Sequence, residues 1–194
     1  VIFKRKKGLQ EFDANERATI ERATGMPMDT PFHRSHLAAI IERVEAAEEA
    51  KPDNWLYPYI LGDYYSREKR YIESVRAADR TLELAPDDPR AVYAAANIYR
   101  TLTYAYMTAP EVAPLMPRVR QQMQMAGMDD SMIDPDASLA ALEELGMSVR
   151  DAFYRALDLF KKTNTYPLRQ EEKQLVEQTI QILRGEIANL PRGM

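Results

Sequence analysis

An all-α fold is what the amino-acid sequence predicts. Three observations carry this. Apolar residues recur at three- and four-residue steps, no stretch alternates with period two, and capping residues, prolines and glycines punctuate the periodic runs. Steps of three and four keep side chains on one helical stripe, whereas a half-buried strand needs strict alternation.

The first helix is predicted over 14–24, because Asp13 can cap it, Glu16 stands three residues later as a capping-box partner and Gly25 is placed to stop it. Met26 to Asp29 reads as a turn, and Thr30 before Pro31 as a cap with proline at the first helical position. The second helix then runs to about Ala50. Its stripe is Leu37, Ile40, Ile41, Val44 and Ala47, with Glu42, Arg43, Glu45 and Glu49 outside, and Lys51-Pro52-Asp53 ends it.

From Trp55 the pattern sharpens, and Pro52 and Pro86 stand 34 residues apart. In register the segment 55–88 reads WLYPYILGDYYSREKRYIESVRAADRTLELAPDD, with Leu61-Gly62, Tyr65, Tyr71, Ala78, Leu82 and Pro86 at regular stations. Gly62 lets two helices approach closely, Tyr65 and Tyr71 fill the seam near the turn, and Pro86 ends the second helix. The period and these stations together resemble a tetratricopeptide (TPR) repeat, a helix–turn–helix unit that buries its face by stacking on neighbours. Ser74 and Thr81 stand at usually small positions, and Lys69 replaces the frequent turn glycine.

The flanks resemble weaker copies. Residues 37–54 match the second helix and closing proline of a preceding repeat, whose first helix would be 14–24. Residues 89–106 match the first helix of a following one, with Ala95, Ala96, Asn97 and Tyr99 in place. That repeat is not completed in register, because Pro110, Pro114 and Pro117 break the chain and a methionine-rich segment runs to Pro135. Helical pattern returns at Asp136, a candidate cap, through Leu139, Leu142 and Leu145 to Gly146. Another helix follows from Ser148 to about Lys162, with Val149, Phe153, Ala156, Leu157 and Phe160 as its stripe. Pro167 starts a last helix whose Leu168, Leu175, Thr179, Ile182, Leu183, Ile187 and Leu190 are expected on one side, capping the open end of the array.

The resulting division is a basic N-terminal tail over 1–12, a TPR-like core over 13–106, a Pro/Met-rich insertion over 107–135 and C-terminal helices over 136–194 that pack on the core.

At 194 residues the chain suits one domain or a compact array, with roughly 70% of the extended-chain surface buried on folding. The 45% apolar and 29% charged residues are those of an ordinary soluble globular protein. The absence of cysteine removes disulfides, thiolate zinc sites, iron–sulfur clusters and cysteine nucleophiles together. Net charge is −4, and setting aside the four cations Lys4, Arg5, Lys6 and Lys7 leaves −8 on the rest. A body that acidic repels a phosphate backbone, so protein partners fit better than nucleic acid.

No window approaches 18 consecutive apolar residues. Val1-Ile2-Phe3 directly before the basic block nevertheless has the form of the cytoplasmic end of an upstream transmembrane helix. Lys4, Arg5, Lys6 and Lys7 are then candidate contacts to a membrane surface. A processed terminus with a solvated basic tail is the other reading. Zero cysteines suit either side of a membrane, and the cytoplasm or the cytoplasmic face of a membrane is the favoured location.

The residues offer little chemistry. His33 and His36 lie three apart on one helical face, but two ligands do not make a metal site, and no third is placed beside them. Met107, Met116, Met123, Met125, Met128 and Met132 cluster within 26 residues. Thioethers can hold Cu(I), yet methionine is also an adaptable filler of cores and docking surfaces, and packing or partner contact is the expectation. Neither a nucleophile elbow, a phosphate loop nor an HExxH helix occurs, and the carboxylate pairs Asp129-Asp130, Glu143-Glu144 and Glu171-Glu172 read as solvated helix faces. No catalytic residue, metal site or cofactor is expected.

What remains is a binding surface. The TPR resemblance implies that the first helix of each repeat lines a groove. By register its positions are Leu56, Tyr59, Asp63, Ser66 and Arg67, then Arg90, Tyr93, Asn97, Arg100 and Thr101. Asn97 stands where family members commonly hold a bound peptide's backbone. The expected function is thus a non-catalytic interaction adaptor or structural subunit that binds a peptide segment or another subunit. An accessory subunit of a membrane complex, tethered by an upstream helix, is the alternative, and a methionine-based copper-binding protein a further one.

Overall fold

The computed structural model describes residues 8–9, 11–28, 36–110, 112 and 134–190. It is all-α: the described residues form eight α-helices and one 3-10 turn, with no strand among them. Helix α1 spans Ala14–Thr24 and shows the expected capping box. Asp13 Oδ1 accepts from Glu16 N at 2.9 Å, and Glu16 Oε2 accepts from Asp13 N at 2.8 Å. Gly25 ends it at φ 72°, a left-handed conformation that favours glycine. Helix α2, Leu37–Ala50, buries Leu37, Ile40, Ile41 and Val44. Glu45, expected in solvent, is half-buried because its carboxylate accepts the Tyr65 hydroxyl at 2.5 Å. The Thr30-Pro31 start lies outside the described residues.

Helices α3, Leu56–Arg67, and α4, Tyr71–Leu84, are joined by a three-residue turn, which makes them antiparallel neighbours. The turn carries Lys69 at φ 60°, the described residues' one left-handed backbone outside glycine. A Cβ on Gly62 would stand 2.8 Å from Ile98 Cδ1 and 3.7 Å from the Ser74 carbonyl oxygen, so the glycine serves close helix approach. Ser74 has a physical reason too, since its hydroxyl donates to the Gly62 carbonyl at 2.7 Å in a buried seam.

Helix α5, Pro89–Thr103, has Asp88 as cap and Pro89 at its first position, and runs into the 3-10 turn Tyr104–Thr108. Helix α6, Pro135–Leu145, starts earlier than expected. With Pro135 at the first helical position, the cap is Asp134, which accepts from Ala137 N at 3.0 Å, and Asp136 becomes a first-turn acid. Helix α7, Val149–Asn164, is opened by a Ser148–Asp151 capping box.

The last helix, α8, spans Gln170–Asn189 and so begins beyond Pro167, with Leu168 buried ahead of it. Thr179 and Leu183 lie on the expected face, but two other positions differ from the sequence expectation. Val176, Thr179, Ile180 and Leu183 are buried, whereas Leu175 and Ile182 are 51% and 42% exposed. One residue is about 100° of helix, so centring the stripe on Val176 and Ile180 turns Leu175 and Ile182 outward.

Sequential helices pack in pairs. α1 and α2 lie against α3, α3 and α4 against α5, and α7 on α8. The most extensive contact joins α5 to α7, which are separated in sequence by α6 and the segment before it. They run antiparallel: Tyr93 meets Phe160 with ring centroids 6.0 Å apart, Arg155 lies over Tyr99 at 5.5 Å, and Tyr106 meets Phe153 at 6.2 Å. α6 is wedged against the 3-10 turn, α4 and α5. Two apolar clusters result, one joining α1–α3 and a larger one spanning α4–α8 around the fully buried Phe153 and Phe160. Among the described residues no helix is long and apolar enough to cross a membrane.

Candidate binding groove

Helix periodicity places Tyr59, Asp63, Ser66 and Arg67 on one stripe of α3, and Tyr93, Asn97 and Thr101 on one stripe of α5. All seven line an open cavity of about 750 Å³. Ile60 and Ile98 lie between them, and α1 with its following turn supplies Ile20, Met26 and Met28 as the facing wall.

The cavity is amphipathic. Tyr59 meets Trp55 and Phe12 edge-on, with centroids 5.5 and 5.6 Å apart. Burial, assisted by the charge of Asp63, pushes its hydroxyl up to about 12, so Tyr59 stays a neutral donor across the physiological range. Burial raises Tyr64 as well. Asp63 and Arg67 form an i,i+4 pair at 2.8 Å with both side chains more than half exposed, a contact of small energetic weight. Asn97 Nδ2 donates to the Tyr93 carbonyl at 2.9 Å, and Thr101 Oγ1 to the Asn97 carbonyl at 3.1 Å. A groove with aromatic walls and a few amide and hydroxyl groups is suited to an extended peptide, whose side chains need apolar contact and whose backbone needs hydrogen bonds.

Three of the expected groove residues sit elsewhere. Leu56 is 4% exposed and packs in the α1–α3 cluster, because α1 and α2 cover the first turn of α3. Arg100 lies outside the cavity, about 60° around α5 from Asn97, and faces Glu186 of α8. There burial raises the Glu186 carboxyl above its ordinary range, with Arg100 opposing the shift.

Arg90 is buried, and its five N–H groups are all engaged. Nε and Nη2 donate to Asp88, Nη1 and Nη2 to Glu16, and Nη1 also to the Glu11 carbonyl, at 2.6 to 2.9 Å. Its guanidinium lies 4.9 Å from the Trp55 ring centroid and 5.2 Å from that of Phe12. Burial opposes the charge, but the hydrogen bonds and charges of Asp88 and Glu16 outweigh it and hold Arg90 firmly protonated.

The sequence reading misses Leu9 and Phe12, which also line the cavity. It assigns them to a basic tail, yet Leu9 is buried at 3% and Phe12 half-buried. The signal is two apolar residues three apart in an otherwise polar run. The membrane-surface candidates Lys4, Arg5, Lys6 and Lys7 lie outside the described residues, as do His33 and Met116 through Met132. Among the described residues, no three His, Asp or Glu side chains converge as a metal-holding group. Comparison of the chain with family models, with curated proteins and with solved structures finds no match.

Proposed function

We propose that this chain is a non-catalytic interaction adaptor or structural subunit that binds a peptide segment, or another subunit of a complex, in the cavity between α3 and α5. The observation that carries the reading is the convergence there of seven side chains, Tyr59, Asp63, Ser66, Arg67, Tyr93, Asn97 and Thr101, from two helices. The resemblance of residues 55–88 to a TPR repeat supports the same surface. On this reading α1–α2, α3–α4 and α5–α7 are three successive hairpins, the third interrupted by the Pro/Met-rich segment, and α8 closes the end. Tyrosines concentrate binding energy at low entropy cost, and the acidic body disfavours a nucleic-acid partner.

The test is co-purification at low salt with the natural chain and with a Tyr93→Ala, Asn97→Ala double variant of matching helical content. A partner retained by the first and lost by the second is the expected result. No partner with either, or equal capture by both, overturns the reading, as does turnover of a small molecule.

A further inference from the structure

Leu9 and Phe12, which line the cavity, belong with Gly8 and Glu11 to no helix. Gly8 and Leu9 lie at the start of α8, where Leu9 N donates to Glu172 Oε1 at 2.7 Å, and a Cβ on Gly8 would stand 2.8 Å from the same oxygen. Glu11 follows, its carboxylate paired with Arg169 and its carbonyl accepting from Arg90 Nη1 at 2.9 Å. Phe12 then packs on Tyr59 and Arg90, immediately before the Asp13 cap of α1. The stretch therefore straddles the two apolar clusters, since Leu9 is buried in that of α4–α8 and Phe12 packs on that of α1–α3.

We infer that Gly8, Leu9, Glu11 and Phe12 form a releasable latch. Docked, it ties α8 back to α5 and α1 and walls one side of the groove. Released, it opens that side and loosens α8 while the rest of the helical core stays folded. Two features favour independent release. Among the described residues its bonds to the helices run through side chains, from Leu9 N to Glu172, from Arg90 to the Glu11 carbonyl and from Arg169 to the Glu11 carboxylate, so undocking it breaks no helix ladder. Helix α8, which it holds, has α7 as its one extensive helix contact among the described residues. Segments with few buried contacts open at lower free energy than the global transition. The consequence for partner access rests on the groove reading, whereas the latch itself does not.

Native-state hydrogen exchange on the full chain, with no partner present, tests it. In the natural sequence the residue 9 amide is expected to exchange faster than core amides of α5 and α7, such as those of Leu102 and Phe160. Leu9→Ala should raise exchange at residue 9 by roughly 30-fold or more, the weight of a buried leucine side chain. Amides in the first half of α8 should rise with it while the α5 and α7 amides are unchanged. Leu9→Asp should abolish protection at residue 9 and again spare α5 and α7. The inference is overturned if residue 9 exchanges only with the α5 and α7 core, if Leu9→Ala leaves α8 unaffected, or if either variant unfolds the whole chain. Because no ligand enters the measurement, failure here leaves the groove reading standing.

Discussion

Arg90 and Glu16, 74 residues apart in the chain, meet through two parallel hydrogen bonds of 2.8 Å, with the arginine side chain 5% and the glutamate 17% exposed. The same guanidinium engages Asp88, so one cation neutralises an acid of the α1 capping box and the cap of α5. The pair thereby joins α1 to the helix that pairs with α7.

Arg90→Ala is expected to destabilise the fold by about 3 kcal/mol, because it leaves two carboxylates under cover without their cation. Arg90→Lys should recover only part of that loss, since an ammonium cannot reproduce the planar fork. Urea denaturation of the three proteins measures both. A cost for Arg90→Ala below about 1 kcal/mol would place this network among ordinary surface ion pairs.

Gly62→Ala tests the close approach of α3 to α5. The added methyl must displace the Ile98 side chain from 2.8 Å, and a loss of about 1–3 kcal/mol is expected. Ser74→Ala should cost about 1 kcal/mol through the lost hydrogen bond to the Gly62 carbonyl. The two sites touch, so the double variant is expected to depart from additivity in thermal denaturation.

Lys69→Gly is expected to stabilise. The lysine sits at φ 60°, and its compensating ion pair with Asp134 spans 3.5 Å with both side chains about one-third exposed. Relief of the left-handed strain outweighs that pair, giving a net gain of up to about 1 kcal/mol and a higher Tm. An unchanged or lower Tm would show that the Asp134 contact dominates.

Glu186→Gln tests the burial of that carboxyl beside Tyr104 and Tyr106. Its pKa is raised in the folded state, so the folded protein binds the proton more tightly than the unfolded chain does. The ionised carboxylate therefore costs stability above the folded pKa, and the cost is relieved as pH falls below the ordinary value of 4.5. The variant should be more stable than the natural protein at pH 7, with the difference shrinking toward zero near pH 4. A difference independent of pH would point to packing rather than ionisation.

Much of the helical framework is readable from local chemistry. The Asp13/Glu16 box, Gly25, the helix starting at Pro89, Gly146 and the Ser148 cap each act within a few residues, and the structure shows each where its local signal stands. The errors also have local causes. Asp136 reads as a cap until Pro135 is recognised as the first helical residue, and the α8 stripe is misread at two positions because Leu175 and Ile182 are as apolar as Val176 and Ile180. Register places seven groove residues on α3 and α5. It fails for Leu56, Arg90 and Arg100, since their surroundings come from α1, the Leu9–Phe12 stretch and α8.

The sequence by itself determined what depends on short range: an all-helical chain and most of its caps and turns. Capping bonds, left-handed turns and amphipathic stripes are satisfied within about one or two helical turns, so their signals are local. Tertiary structure alone decided that α7 pairs with α5, that Arg90 closes on Glu16, and that Leu9 and Phe12 fold back across the groove. Those contacts unite residues about 50 to 160 positions apart. Burial selects among many apolar and charged candidates of equal local merit, and only the assembled helices show which ones meet.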